Sequence, residues 1–434
     1  MKPIQKAARR GVGFVLGASG IGTLIEWYDF FVYGSLAPII GSIFFPPTAS
    51  PLVNLLNAFL AFAVGYIMRP VGALVFGYMG DKWGRKVTFF IVLIVMGVAT
   101  IVMGSLPTYA QAGVLSTIGL FITRLIQGFS IGGELGGAVT YIMEYAPQNK
   151  RAFYTAAIPA MTTLGLLLAN MSVYAASAIL GTNALYSYGW RIPFWIAAGV
   201  VVIGIIFRWL LEETPVYKEY FTQGKVLKSP TTSAFRKAGK LMLLIFLINM
   251  AATTIWYTAH ISNYSYWITV SKIPVNTTLI TFSILLAITS FMYIIGGYLA
   301  DKFGRKTVFK WTYTIAAITG FPLVYTFVAT NNILILSIAS LIFLVYAAFG
   351  FVTSTISFNE LAPANVRYTT YSFPYHLAVG LLGGFTPYVT IWLALTLGTS
   401  VAGVLYTVIA TIISAIVAWI WYPETKGFDI KKTL

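Results

Sequence analysis

The 434-residue chain has no cysteine, only two histidines and only 12 acidic side chains. The first absence excludes disulfides, thiolate nucleophiles and cysteine-ligated metal, although it identifies no compartment. Two histidines and so few carboxylates offer little for a metal cluster, and no phosphate-cradling glycine loop or convincing nucleophile is present. An enzyme is not expected, and neither is a metal or an organic cofactor. The basic start runs into apolar residues without a small-residue cleavage pattern, so a retained first helix is expected rather than a signal peptide.

Charge of either sign is scarce. Charged residues make up 9% of the chain and apolar ones 58%, with a mean hydropathy of +0.82, which excludes a soluble globular protein. Long apolar runs take their place. A membrane span needs about 20 apolar residues, because each helical residue rises roughly 1.5 Å across a core about 30 Å thick. Twelve such spans are read at 14–40, 53–78, 87–106, 114–144, 152–180, 190–211, 240–268, 277–299, 307–329, 332–359, 368–396 and 399–422. Hydrocarbon cannot satisfy exposed backbone groups, and the runs lack the alternation of a barrel, so an all-α membrane protein is expected.

The net charge of +16 is unevenly placed. Lys2, Lys6, Arg9 and Arg10 precede the first span; Lys82, Arg85 and Lys86 follow the second; Lys302, Arg305 and Lys306 follow the eighth. Six more basic residues crowd the segment between spans six and seven, from Lys218 to Lys240. The alternate loops hold almost none, Lys272 excepted. This bias puts both termini in the cytoplasm and the protein in the plasma membrane, with the bilayer rather than nucleic acid as its surroundings. A monomer is expected.

The chain is doubled. Gly77-Tyr-Met-Gly-Asp81-Lys82-Trp-Gly84-Arg85-Lys86 returns as Gly297-Tyr-Leu-Ala-Asp301-Lys302-Phe-Gly304-Arg305-Lys306, with seven of ten positions identical. Glu144-x-x-Pro147-x-x-x-Arg151 likewise returns as Glu360-x-x-Pro363-x-x-x-Arg367. The repeats divide the chain into an N-terminal six-helix bundle (1–211), a cytoplasmic linker (212–239) and a C-terminal six-helix bundle (240–434). Doubling of this kind in membranes points to a carrier with its site between the halves.

A charge at the centre of a span costs about 2.5–3.5 kcal/mol on insertion scales, so it faces a partner or a wet cavity. Glu26, Asp29 and Tyr33 share one helical stripe at i, i+3 and i+7. In the fourth span Arg124, Gln127 and Glu134 occupy one polar sector, beside Gly128, Gly132 and Gly136, which let another helix approach closely. Arg69 lies near mid-membrane in the second span. Its planar fork suits a substrate carboxylate, and a structural bridge to Glu134 or Asp29 is the competing reading. Arg191 stands near the outer end of the sixth span, where it either snorkels to the interface or binds substrate.

Gly77-x-x-x-Asp81-Lys82-x-Gly84-Arg85-Lys86 resembles the loop motif of the major facilitator superfamily. Glu26-Trp-Tyr-Asp29, Arg69-Pro70-Val-Gly72, Arg124-Leu-Ile-Gln127-Gly128 and Gly189-Trp190-Arg191 narrow the likeness. Together they resemble the metabolite:proton symporters, which move organic acids such as citrate or shikimate and zwitterions such as proline and betaine. The resemblance implies the major facilitator fold, with twelve transmembrane helices in two pseudo-symmetric bundles, and proton-coupled import by alternating access. Related sugar carriers pair an aspartate in the first span with an arginine in the fourth, which carries over to Asp29 as proton carrier and Arg124 as its electrostatic partner. A low dielectric favours a protonated acid and a nearby guanidinium favours the carboxylate, so moving one against the other would load and release the proton. A pair that merely fastens two helices is the alternative. Glu26 and Glu134 are the next proton candidates.

The C-terminal half is richer in aromatics. Tyr257, His260 and Tyr264 form a stripe, read as either a cavity wall or packing, and His376 follows Pro374. Substrate contacts are therefore expected among Arg69, Tyr33, Gln127, Asn170, Tyr257, His260, His376 and Arg191. Asp81, Arg85, Glu144, Arg151, Asp301, Arg305, Glu360 and Arg367 are expected to gate the cytoplasmic side. The expected solute is a small organic acid, with a zwitterion such as proline or betaine as the close alternative and a transporter-like nutrient sensor as a third reading. The proton is the only coupling species expected.

Overall fold

In the computed structural model the described residues are 12–47, 50–133, 135–209, 222, 230–399 and 402–430, and among them there is no strand. The first six spans are Val12–Ser35 with Ala37–Ile43, Pro51–Trp83, Arg85–Ser105, Val114–Ile131 with Leu135–Tyr145, Arg151–Thr155 with Ala157–Leu180, and Arg191–Trp209. The seventh to ninth are Pro230–Tyr257 with Asn263–Thr269, Val275–Phe303, and Arg305–Ala329. Ile333–Leu361, Arg367–Ala378 with Thr386–Leu397, and Ala402–Ile420 complete the set. Each of the twelve expected ranges thus holds helix among the described residues. Eight of these helices are long and apolar enough to cross a membrane by length and composition, or nine if the bent pair Thr182–Gly189 and Arg191–Ile206 is one span.

Of the expected linker 212–239, residues 212–221 and 223–229 lie outside the described residues. Residues 230–239 already belong to the helix of the seventh span, which Pro230 opens in the first-turn position that proline tolerates. Hydropathy misplaced that boundary because Arg236, Lys237 and Lys240 extend the helix as a polar turn.

Helix ends follow local chemistry. Ser50 caps the second span by accepting the Val53 N–H at 3.4 Å, and Asn332 caps the tenth by accepting from Leu334 and Ile335. Gly84 and Gly304, at the same place in the two repeats, stop the second and eighth spans with φ of 103° and 99°, which L side chains rarely adopt. Inside the first half, spans two and four meet backbone to backbone. A methyl on Gly128 would overlap the carbonyl oxygen of Gly65, and one on Gly72 that of Phe129. The expected close approach of the Gly128 face is therefore real, and span two is what it admits.

The halves meet along two seams, with span five packed on span eight and span two on span eleven. Pro70 makes the second seam possible. It cannot donate to the carbonyl of Tyr66, and that carbonyl and the Pro70 ring face Gly380, where any side chain would meet them at 2.9 and 3.2 Å. Spans seven and eleven are each interrupted by a wide π-type turn, at Thr258–Ser262 and Val379–Gly383. Such turns recur at functional sites, because they break the regular ladder and re-aim side chains.

Candidate functional site

Between the halves lies a narrow cavity lined by Trp27 and Thr162 from the first half and by Thr253, Trp256, Tyr257, Phe351, Tyr375 and Val379 from the second. Its open space is about 10 Å³, which is what a single water molecule needs. Five aromatic rings and no carboxylate form the wall. Trp256 is fixed by donating to the Tyr293 hydroxyl at 2.9 Å, and it lies sandwiched between Phe31 and His260, with ring separations of 5.3 and 4.0 Å.

Arg69 is fully buried behind the cavity wall, in contact with Tyr257 and Trp27 of its lining. One guanidinium nitrogen donates to the Tyr257 hydroxyl at 3.3 Å, and that hydroxyl donates to Tyr66 at 2.8 Å. The guanidinium carbon sits 4.8 Å from the Tyr66 ring centre and 5.4 Å from that of Trp27. Nε and Nη2 have no hydrogen-bond partner among the described residues. The alternative of a bridge to Asp29 has no ion pair behind it among the described residues. Across the second seam His376 is buried, feels the charge of Arg69, and has neither ring nitrogen hydrogen-bonded among the described residues. His260 is bonded through Nδ1 to the Trp256 carbonyl at 2.9 Å, so it props the cavity wall from behind.

Asp29 and Arg124 do not touch. Asp29 accepts from the Thr100 hydroxyl, Gln127 donates to the same hydroxyl at 2.7 Å, and Arg124 donates to Gln127 at 2.8 Å. The two expected partners are thus joined by a relay through two neutral side chains, all four residues being fully buried. The second oxygen of Asp29 has no hydrogen-bond partner among the described residues. Arg124 is held over the Phe30 and Tyr33 rings at 4.5 and 4.3 Å. Glu26 is buried one turn before Asp29 and acts on it electrostatically. Glu134 lies outside the described residues.

Three expected substrate contacts do other work. Tyr33 donates to the Ala58 carbonyl at 2.8 Å and supplies the platform under Arg124. Asn170 accepts from Ser35 at 2.5 Å, tying spans five and one together. Arg191 stacks on Trp190 and donates to the carbonyls of Gly104 and Leu106 at 2.9 and 2.6 Å. It satisfies the end of span three, whose last carbonyls have no helical partner, and does not reach the cavity.

At the end carrying the repeated loops the halves are clasped. Arg367 pairs with Glu144 at 3.1 Å, and Arg151 approaches Glu360 to 3.9 Å. Arg305 binds both Glu360 and Asp301 at 3.1 Å. Asp301 also accepts the backbone N–H groups of Ala152 and Phe153 at 3.2 and 2.8 Å, at the start of span five. Asp81 accepts from the N–H and the hydroxyl of Thr369 across the other seam. The side chain of Arg85 lies outside what the structure describes.

Thr100, Tyr66, Phe351 and Tyr375 escaped the sequence reading. Tyr66 stands one turn before Arg69 and Tyr375 beside His376, so proximity to a buried polar residue was an available signal for both. A threonine or phenylalanine in an apolar span carries none.

A sequence model of the Major Facilitator Superfamily matches residues 19–375. The inner membrane metabolite transport protein YhjE of Escherichia coli (strain K12) is 33% identical over 90% of this chain and 89% of its own length. A Staphylococcus haemolyticus protein provisionally described as a proline/betaine transporter is 31% identical over 95% of this chain and 88% of its own. The proton:xylose symporter XylE, bound to 6-bromo-6-deoxy-D-glucose, superposes with a TM-score of 0.79 over 97% of this chain and 98% of that one. At 16% identity that likeness speaks for the fold. Matched over most of its length and by relatives above 30% identity, the chain belongs to the major facilitator superfamily and is a multi-pass membrane transporter.

Proposed function

We propose that this transporter is a proton-coupled symporter importing a small carboxylate-bearing solute, with Arg69 receiving the carboxylate and Asp29 carrying the proton. The observation that carries the reading is the buried Arg69 guanidinium, bonded to Tyr257 of the cavity wall and with two nitrogens unbonded among the described residues. A planar fork with free donors in a dry site is matched by a carboxylate, which forms paired charge-assisted hydrogen bonds. The basic end, with both termini, faces the cytoplasm of the cell in this reading.

The cavity is nearly filled and the basic end is clasped, so solute enters only after the halves part on the opposite side. Spans two and seven then carry Arg69 and Tyr257 to the solute together, because the two side chains are bonded. Hydrogen bonds link Asp29 to Arg124 through Thr100 and Gln127. Movement of span four against spans one and three therefore changes how strongly the guanidinium is felt at the carboxyl, and this couples proton loading to rocking.

An organic acid fits Arg69 directly. A zwitterion has a specific observation in its favour: Trp27, Trp256, Tyr257, Phe351 and Tyr375 surround the cavity, and aromatic faces attract a quaternary ammonium by about 0.5–2 kcal/mol each. A thermal-shift panel of organic acids, amino acids and betaines on the purified protein separates the two. Uptake of the hit into proteoliposomes should then be concentrative only under an inward proton gradient. Equal accumulation without that gradient or a membrane potential would overturn the symport reading.

A further inference from the structure

A second cavity, of about 400 Å³, opens at the basic end on the outside of the seam between spans five and eight. Lys150, Phe153 and Tyr154 line it from the first half, and Tyr298, Asp301 and Lys302 from the second. We infer that it is a binding site for the headgroup of an anionic phospholipid, held between the two lysines.

Charge comes first. Lys150 and Lys302 are exposed, and neither has a carboxylate within 4.0 Å among the described residues. The one acid in the wall, Asp301, is already engaged by Arg305 and by the N–H groups of Ala152 and Phe153. Lys426 adds a further cation nearby by donating to the Lys302 carbonyl at 2.9 Å. The lining therefore offers positive charge without a matching anion.

Position decides between a lipid and a soluble anion. Ile284, Ile288, Phe291, Ile295 and Tyr298 recur at intervals of four and three along span eight, exposed by 57, 37, 70, 41 and 53%. This apolar stripe runs from mid-membrane into the cavity and gives two acyl chains a track. Phe153 and Tyr298 mark the depth at which aromatic side chains meet headgroups. A phosphate there joins a lysine from each half, next to the Asp301 contacts that already hold spans five and eight together. Bound lipid therefore favours the state closed at the basic end.

The test is native mass spectrometry of the full-length protein with equimolar phosphatidylglycerol and phosphatidylcholine. Phosphatidylglycerol adducts should dominate, and Lys150→Gln/Lys302→Gln should remove that preference, each lysine contributing about fivefold. Lys272→Gln, at the opposite end, should keep the preference, and an unchanged melting temperature in phosphatidylcholine shows that each variant is folded. Equal retention of both lipids, or a double variant that still selects phosphatidylglycerol, overturns the proposal. So does displacement of the lipid by millimolar inorganic phosphate, which would assign the cavity to a soluble anion.

Discussion

Glu144, at the end of span four, pairs with Arg367, at the start of span eleven, across 3.1 Å, although its own repeat places Arg151 seven residues further on. The other repeat does the reverse, because Glu360 faces Arg151 and Arg305. The two copies thus exchange partners, and an ion pair that looks local in sequence becomes a bond between halves. The side chains of Glu144 and Arg367 are fully buried. Such a pair adds little over an apolar contact, yet losing one member takes a counter-charge from a buried partner, and Arg367 keeps its bonds to the Ala362 and Ile430 carbonyls. It therefore acts as a latch, stable closed and costly half-broken.

Glu144→Gln should weaken that latch by about 3–5 kcal/mol in the closed state. The natural absence of cysteine provides a clean background for measuring it. A reporter Thr253→Cys should alkylate faster from the basic side in Glu144→Gln than in the parent. Glu144→Gln/Arg367→Gln should react more slowly than either single change. Equal rates in all four would remove the pair from closure.

Asp29→Asn should abolish accumulation driven by a proton gradient while leaving solute counterflow intact, since exchange needs no net proton movement. Thr100→Val keeps the carboxyl but removes its hydrogen-bond donor and breaks the chain to Arg124. Hydrogen bonds to charged groups are worth about 1.5–3 kcal/mol, so gradient-driven uptake should fall at least about tenfold. Solute Kd, measured by calorimetry, should stay unchanged. Full accumulation by Asp29→Asn would transfer the proton role to another acid.

Arg69→Ala should raise the solute Kd by about 30-fold or more, equivalent to about 2 kcal/mol for truncating one side of a buried charged contact. Arg69→Lys should recover only part of this, because an ammonium cannot present the planar fork. A Kd unaltered in both variants would leave Arg69 a packing role among Trp27, Phe30 and Tyr66.

Arg191→Ala separates structure from binding. It removes two hydrogen bonds that close the end of span three, so the melting temperature should drop while the Kd remains that of the parent. A weakened Kd at unchanged stability would return Arg191 to the solute site.

Much of the fold was legible because the membrane restricts the choices. Apolar runs longer than a bilayer demand helices, and the repeated Gly84 and Gly304 mark where two of them must stop. The stripe bearing Glu26, Asp29 and Tyr33 was also readable, since helical periodicity alone puts those positions on one face. The start of span seven was not, because Arg236, Lys237 and Lys240 resemble a linker until they are seen to extend a helix beyond the apolar core.

The sequence by itself determined the doubled arrangement, the helical class and the small set of charges buried in it, because burial of charge and exposure of backbone are both costly in hydrocarbon. Only the tertiary structure decided which of those charges meet. Thr100 stands between Asp29 and Arg124, Tyr257 reaches from one half to Arg69 in the other, and Arg191 turns to the end of span three. Those partnerships depend on where distant helices cross, and spacing along one helix carries no information about its neighbours.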